Sequence, residues 1–304
     1  MVGGAFLVPV TGNFRIRSYS SLKNPLSTIK QILDQTAEQG VKDILAMEVW
    51  LAFLLGQDRL FIFKNYQLEL NNKVEQAYWD GIHQMADGKP LSQLTGSKEF
   101  YGLSFVVDGN VLIPRPESEL LVDLAREYIK ENADGKPVMI ADIGTGSGAI
   151  LLSILKNVPE ATGIGTDISG KALEIARQNA SALQLEGRVS WVEGDLLLPV
   201  DTPCQVVVAN LPYIGRDRFN FVAENVAKYE PDVALYGGSN GLEMYERMFL
   251  QLKNKGWFPG LVAGEFGFGQ DELMEFLLFE NFPDKKFRII PDLAGIPRVF
   301  VLGS

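Results

Sequence analysis

Asn210-Leu211-Pro212-Tyr213 directly follows an apolar run, Val206 to Ala209, that reads as a buried β-strand. An Asn-x-Pro-Tyr turn at a strand end can offer two acceptors and a flat ring to a planar NH2 group. The Asn210 side-chain oxygen would take one N–H and the Leu211 carbonyl the other. Pro212 fixes the loop and holds Leu211 in extended conformations. Tyr213 can stack on the planar group. Such a site suits an amide nitrogen, a poor nucleophile because its lone pair is delocalised into the carbonyl. No strong base is expected to deprotonate it at neutral pH, so help must come from orientation and electrostatics. The chemistry indicated is methyl transfer from S-adenosylmethionine to an amide or an exocyclic amine. The plain alternative is a turn whose asparagine caps and whose tyrosine packs.

A second motif lies upstream, in Asp142-Ile143-Gly144-Thr145-Gly146-Ser147-Gly148. Glycines at 144, 146 and 148 let the backbone turn sharply and approach a ligand closely. The helix that follows points its N-terminal amides at that ligand. Asp142 opens the motif at the end of a strand, with Thr145 and Ser147 between the glycines. Asp167 ends the next strand, where a carboxylate can accept both ribose hydroxyls. Asp195-Leu196, after a third strand, is a candidate contact for the adenine end, with a solvated turn as the alternative. The glycine pattern also satisfies the looser dinucleotide fingerprint. What favours S-adenosylmethionine is Asp142 before the glycines together with the later Asn210 turn.

These residues need a scaffold, and the periodicity supplies one. From about Ser27 to Gly88 apolar residues recur at three- and four-residue steps, which predicts a small all-helical domain. Around Phe100 to Ile113 the period changes. The pattern there predicts a β-hairpin turning at Asp108-Gly109, stopped by Pro114 and Pro116. A helix is expected from about Glu117 to Lys130. From Val138 strands and helices alternate, which argues for a Rossmann-like α/β domain. Its mostly parallel sheet would be covered on both faces. Two closing strands, one antiparallel, would form an edge. The expected divisions are an extension over residues 1–25, a helical substrate-recognition domain over 26–90, a hairpin linker over 91–117 and the catalytic domain over 118–304.

Bulk composition narrows the function classes. A single histidine, His83, and a single cysteine, Cys204, cannot build a Cys/His metal cluster, and no metal is expected. One cysteine also excludes an internal disulfide and fits a reducing compartment. The net charge of −10 counts against tight, sequence-independent binding to a phosphate backbone. The longest apolar stretch, near Val49 to Leu55, is too short to cross a bilayer. Residues 1–33 hold no Asp or Glu and faintly resemble a transit peptide, but a loose N-terminal extension is the preferred reading.

Several stretches together resemble the bacterial peptide-chain-release-factor glutamine N5-methyltransferases, over about residues 45–304. They include Ala52-Phe53-Leu54-Leu55-Gly56-Gln57-Asp58-Arg59, Gly88-Lys89-Pro90-Leu91 and Thr95-Gly96-Ser97-Lys98-Glu99-Phe100-Tyr101-Gly102. Most specific is Leu112-Ile113-Pro114-Arg115-Pro116-Glu117-Ser118-Glu119. Tyr229-Glu230-Pro231, Ala234-Leu235-Tyr236-Gly237-Gly238 and Asp292-Leu293-Ala294-Gly295 match as well. The chain departs at Leu211, where the family usually has proline, and at Gln93-Leu94, where it often has Gln-Tyr-Ile. The resemblance implies a cytoplasmic monomer whose helical domain precedes a seven-stranded catalytic domain. It implies methylation of the glutamine in the Gly-Gly-Gln motif of class 1 release factors, without stable nucleic-acid binding. Arg115 then borders the active site, to anchor substrate, pair with an acid or pack between domains. Competing readings are a methyltransferase for a nucleobase amine in rRNA or DNA, a scaffold that keeps only the fold, and a nicotinamide oxidoreductase.

Overall fold

The computed structural model describes residues 26–303. The expected extension over 1–25 lies outside the described residues. The chain divides into two compact units at Thr95/Gly96.

The first unit is helical: α1 (Ile29–Glu38), α2 (Ile44–Leu55), α3 (Arg59–Lys64), α4 (Asn72–Ala86) and α5 (Leu91–Thr95). Its starts are written locally. Thr28 and Gln31 form a reciprocal capping box, and Asp43, Asp58 and Asn71 cap the next three helices. Gly56 closes α2 in the left-handed conformation. The apolar stripes converge on Ile29, Ile32, Met47, Trp50, Leu51, Tyr78 and Ile82. Gly81 lies inside α4 because the Trp50 indole occupies its side-chain space: a Cβ there would stand 2.3 Å from the ring. Trp50 is fixed in turn by its Nε1, which donates to the Tyr78 carbonyl at 3.1 Å.

The second unit opens with a hairpin, β1 (Ser97–Phe100) and β2 (Leu103–Val106). The expected reversal at Asp108-Gly109 is corrected here, because the chain turns at Tyr101-Gly102, between the paired Phe100 and Leu103. Both turn residues have positive φ, 52° and 70°, the geometry that matches strand twist in a two-residue loop. Asp108-Gly109 makes a separate turn, and Val111–Ile113 is not a strand. A 3-10 turn at Pro116–Ser118 leads into α6 (Glu119–Asn132).

The sheet elements then follow: β3 (Val138–Ile143), α7 (Ala149–Asn157), β4 (Ala161–Asp167), α8 (Gly170–Ala182), β5 (Val189–Glu193) and β6 (Val206–Ala209). A short parallel pair, β7 (Ile214–Gly215) and β8 (Tyr236–Gly238), brackets α9 (Glu224–Tyr229) and α10 (Asp232–Leu235). The chain closes with α11 (Glu243–Lys253), β9 (Leu261–Glu265), α12 (Asp271–Asn281), β10 (Lys286–Pro291) and β11 (Pro297–Gly303). Seven strands form one sheet in the order β10-β11-β9-β6-β3-β4-β5. β11 runs antiparallel to both β10 and β9, and the other pairs are parallel. The antiparallel strand is therefore the inner member of the closing pair, not the edge itself. Alternate residues of the central strands face opposite layers. Ile140, Val206 and Val208 pack with side chains of α6 and α7, while Ile143, Val207 and Ala209 pack with those of α11 and α12. Burial on both faces explains why these strands read as continuous apolar runs. The α/β class and its seven-stranded, mostly parallel sheet are as the sequence indicates. Among the described residues no helix is long and apolar enough to cross a membrane.

Gly81→Ala tests the first unit. Helix propensity alone would favour alanine by about 1 kcal/mol. Overpacking against Trp50 should reverse the sign, with a net loss of about 1–3 kcal/mol. A denaturant titration showing equal or greater stability would contradict the close contact.

Candidate active site

Register fixes the site. Thr166, Ile143, Ala209 and Gly264 are paired in one row across β4, β3, β6 and β9. One residue further along each strand stand Asp167, Gly144, Asn210 and Glu265, at the carboxyl edge where open α/β sheets bind ligands. A cavity of about 340 Å³ opens there. It is lined by Gly144, Thr145, Gly146 and Ser147, by Asp167, Asp195 and Leu196, and by Asn210, Leu211 and Pro212. Asp142, Gly148, Tyr213 and Arg115 are not among its lining residues.

The Gly-rich turn is shaped by the carboxylates around it. Asp142 lies behind the loop, 1% exposed, and its Oδ2 accepts the Thr145 hydroxyl at 2.6 Å. Burial pushes its carboxyl up to about 7, against the pull of the Thr145 hydrogen bond. Asp142 thus shapes the loop from below. Gly148 caps α7 at φ 79°, and a Cβ there would meet the Trp191 ring at 2.9 Å. At Gly146 a Cβ would meet nothing within 4 Å, so the loop leaves room on its cavity side. Asp167 accepts Gly146 N–H on Oδ2 and Ser169 N–H on Oδ1, both at 2.9 Å. Each oxygen keeps a lone pair for a ligand hydroxyl. Burial raises its pKa and the backbone N–H groups oppose the rise.

At the adenine-side candidate, both Asp195 oxygens are engaged. Oδ1 takes the Arg247 guanidinium at 2.7 Å and Oδ2 the Gln251 amide at 3.0 Å. Leu196 is held at φ 51°, a left-handed conformation that costs a leucine about 1–2 kcal/mol. Strain of this sort collects where a site needs a special backbone course.

The catalytic-turn candidates rest on a buried acid. Glu265 is 2% exposed. Its Oε2 accepts the Ser118 hydroxyl at 2.6 Å and the Asn210 Nδ2 at 3.1 Å, and its Oε1 accepts the Tyr213 hydroxyl at 3.1 Å. Asn210 Nδ2 also donates to Ser118 Oγ at 2.8 Å. With both acceptors on the Nδ2 side, the buried Oδ1 of Asn210 has no partner among the described residues. Burial raises the Glu265 carboxyl and nearby Glu117 adds to the rise, while the Ser118 and Tyr213 hydroxyls and Arg298 oppose it. Burial and then Glu265 drive the Tyr213 phenol far above its ordinary value, so it stays a donor. Tyr213 therefore points its hydroxyl at Glu265. Leu211 packs its side chain beside Gly144, 3.0 Å from where a Cβ would be, and its N–H donates to the Tyr245 hydroxyl at 3.4 Å.

Arg115 has an acid partner: it bonds Glu230, whose other oxygen accepts the Ile113 N–H at 3.0 Å. Sequence reading did not single out Glu265, Ser118 or Tyr245. The one available signal was an acid closing the otherwise apolar strand Leu261–Glu265, every residue of which is buried. The Glu230 partnership spans 115 positions and carries no local signal.

Residues 28–96 match the PrmC N-terminal domain model and residues 140–229 a methyltransferase domain model. A release factor glutamine methyltransferase of Bacillus cereus is 34% identical over 265 residues, covering 86% of this chain and 93% of the relative. Its counterpart in Clostridium acetobutylicum is 34% identical over 282 residues, 91% of this chain and 96% of the relative. Among solved structures, the N-terminal domain of human METTL16 in complex with SAH gives a TM-score of 0.50 at 17% identity, covering 83% of this chain and 93% of that one. That last likeness is one of fold. With relatives this similar along nearly their whole length, the chain belongs to the release factor glutamine methyltransferase family.

Proposed function

We infer that this protein methylates the side-chain amide nitrogen of the glutamine in the Gly-Gly-Gln motif of class 1 release factors, using S-adenosylmethionine. The observation that carries the reading is the Asn210 side chain. Its Nδ2 is committed to Ser118 and Glu265, while its buried Oδ1 has no donor among the described residues, in a residue that lines the cavity. A buried acceptor left unpaired is costly, by about 1–3 kcal/mol, unless a ligand donor meets it. A primary amide brings two N–H groups. Asn210 Oδ1 accepts one and the Leu211 carbonyl the other, which turns the nitrogen lone pair towards the Gly-rich loop and Asp167.

The residues present fit the cofactor. Asp167 offers lone pairs for ribose hydroxyls, and Gly146 leaves space ahead of the α7 N-terminus for the negatively charged end. When bound there, S-adenosylmethionine supplies an electrophilic sulfonium methyl. The chain's own contribution is orientation. Two acceptors hold the amide, favour the electron-rich form of its nitrogen and keep the nucleophile in line. No side chain is assigned as a strong base, since the proton is lost readily once the nitrogen is alkylated.

Intact-mass spectrometry of a purified release factor, incubated with this protein and S-adenosylmethionine, tests the reading. One added methyl, mapped to the Gly-Gly-Gln glutamine, is expected, and Asn210→Ala should abolish it while cofactor binding persists. No methyl on that glutamine, with the cofactor bound, would overturn the substrate assignment. Asp167→Ala should weaken cofactor binding measured by calorimetry, by about 1–3 kcal/mol for a hydrogen bond to a charged group. Unchanged affinity would remove Asp167 from the ribose site.

A further inference from the structure

We propose that Glu265 is a positioning residue that sets which way the Asn210 amide faces, acting with Ser118 as a fixed pair of acceptors behind the catalytic turn. The proposal deepens the methyltransferase reading above, on which its kinetic part rests. An asparagine amide presents a donor end and an acceptor end of almost the same shape. Flipped by half a turn, Asn210 would offer Nδ2 to the substrate N–H groups, donor against donor, and the orienting bond would vanish. Something must forbid that flip.

The structure supplies it through the sheet. Ala209 and Gly264 are paired between β6 and β9, so Asn210 and Glu265 are lateral neighbours one step on. Glu265 is buried, and its side chain meets three donors: the Ser118 hydroxyl, the Asn210 amide and the Tyr213 hydroxyl. A carboxyl group that takes three donors on its two oxygens acts towards each of them as an acceptor. Ser118 spends its hydroxyl proton on Glu265, so towards Asn210 it too can only accept. Both contacts of Asn210 thereby demand N–H, and Oδ1 is left to face the cavity. In the flipped state Oδ1 would meet two acceptors in a dry site, where mismatched polar groups are heavily penalised. The same carboxylate holds the Tyr213 hydroxyl, so one buried group orients two residues of the turn. The backbone of Glu265 is anchored independently, its carbonyl accepting the Tyr245 hydroxyl.

The discriminating substitution is Glu265→Gln. It keeps the shape but adds a donor, so the acceptor-only rule is lost and Asn210 can flip. The expected result is a fall in kcat of about 10–100-fold, the scale of a misplaced reacting group. Kd for S-adenosylmethionine should stay within about twofold, since the Gly-rich loop and Asp167 are untouched, and KM for the release factor should change far less than kcat, since only one contact of the substrate amide is lost. An unchanged kcat, or a kcat loss matched by an equal loss of cofactor affinity, would overturn the proposal. Should Glu265→Gln fail to fold, Ser118→Ala removes one acceptor and should give a smaller kcat loss, again with Kd for S-adenosylmethionine within about twofold.

A readout without substrate accompanies the kinetics. In 15N-asparagine-labelled protein the Asn210 side-chain NH2 signal, identified by its loss in Asn210→Ala, should be protected from solvent exchange in the wild type. That protection should drop in Glu265→Gln. Exchange at the rate of a free amide in the wild type would refute the fixed orientation, whether or not release factors prove to be the substrate. If the wild type methylates no release factor yet the NH2 is protected, the substrate reading fails and the positioning role stands.

Discussion

The site depends on the parallel register of four strands. Asp167, Gly144, Asn210 and Glu265 each lie one residue beyond a single paired row across β4, β3, β6 and β9. Neighbouring strands in a sheet are about 4.8 Å apart. Residues at the same level on adjacent strands therefore touch without any loop having to find its way. A slip of one residue in β6 would send Asn210 to the opposite face and Ala209 to the edge. Val206 and Val208 pack into one helical layer and Val207 and Ala209 into the other, and this face-specific packing opposes that slip. Core packing and chemistry are thus specified by the same short apolar strands.

That edge gathers carboxylates in a dry setting, and each is handled differently. Asp167 has two backbone N–H donors and keeps room for more. Glu265 has three donors and is turned wholly inward. Asp142 has the Thr145 hydroxyl, and burial lifts its carboxyl to about 7. Its place behind the loop, out of the cavity lining, suits a bracing group better than a charge for a ligand. In all three burial raises the carboxyl pKa and hydrogen-bond donors oppose the rise. Burying such groups costs stability, and their placement at the cavity's rear and floor is a local sacrifice of the sort functional sites make.

The strand ends could be read from sequence because periodicity and flanking chemistry agreed. Ala161–Asp167, Val189–Glu193 and Val206–Ala209 fall where the apolar runs place them. The Gly-rich turn and the Asn210 turn were legible for the same reason: each is a short motif whose residues act on their own neighbourhood. The hairpin was misplaced because Asp108-Gly109 is the stronger local signal, while Tyr101-Gly102 makes the turn with a tyrosine at φ 52°. The pairing of Ser97–Phe100 with Leu103–Val106 and the burial of Phe100 and Phe105 outweighed that propensity. The segment from Ile214 to Gly238 escaped because its elements are two to six residues long, too short to show a period. Arg115 with Glu230, and Asn210 with Glu265, were illegible for a deeper reason. Such pairs depend on which distant strand becomes a neighbour, and only topology decides that.

Leu211 shows how the turn keeps its shape without the proline usual in the family. A proline at this position would restrict the unfolded chain, worth about 0.4–1 kcal/mol. Leucine gives that up but restores an N–H, which donates to the Tyr245 hydroxyl at 3.4 Å. A hydrogen bond contributes about 0.5–1.5 kcal/mol, and one this long belongs at the low end. The Leu211 side chain is also 1% exposed, lodged beside Gly144 in the core under the turn. Full burial of a leucine contributes about 1.5–3 kcal/mol relative to leaving it exposed. Tyr245 reaches further than that one contact, since its hydroxyl also lies against the carbonyls of Ala209 and Glu265. One phenol therefore ties the end of β6, the end of β9 and the first step of the turn. The rigidity that a pyrrolidine ring would provide covalently is here provided by a buried side chain and one tyrosine. The restraint on the turn therefore falls on the Leu211 N–H and side chain.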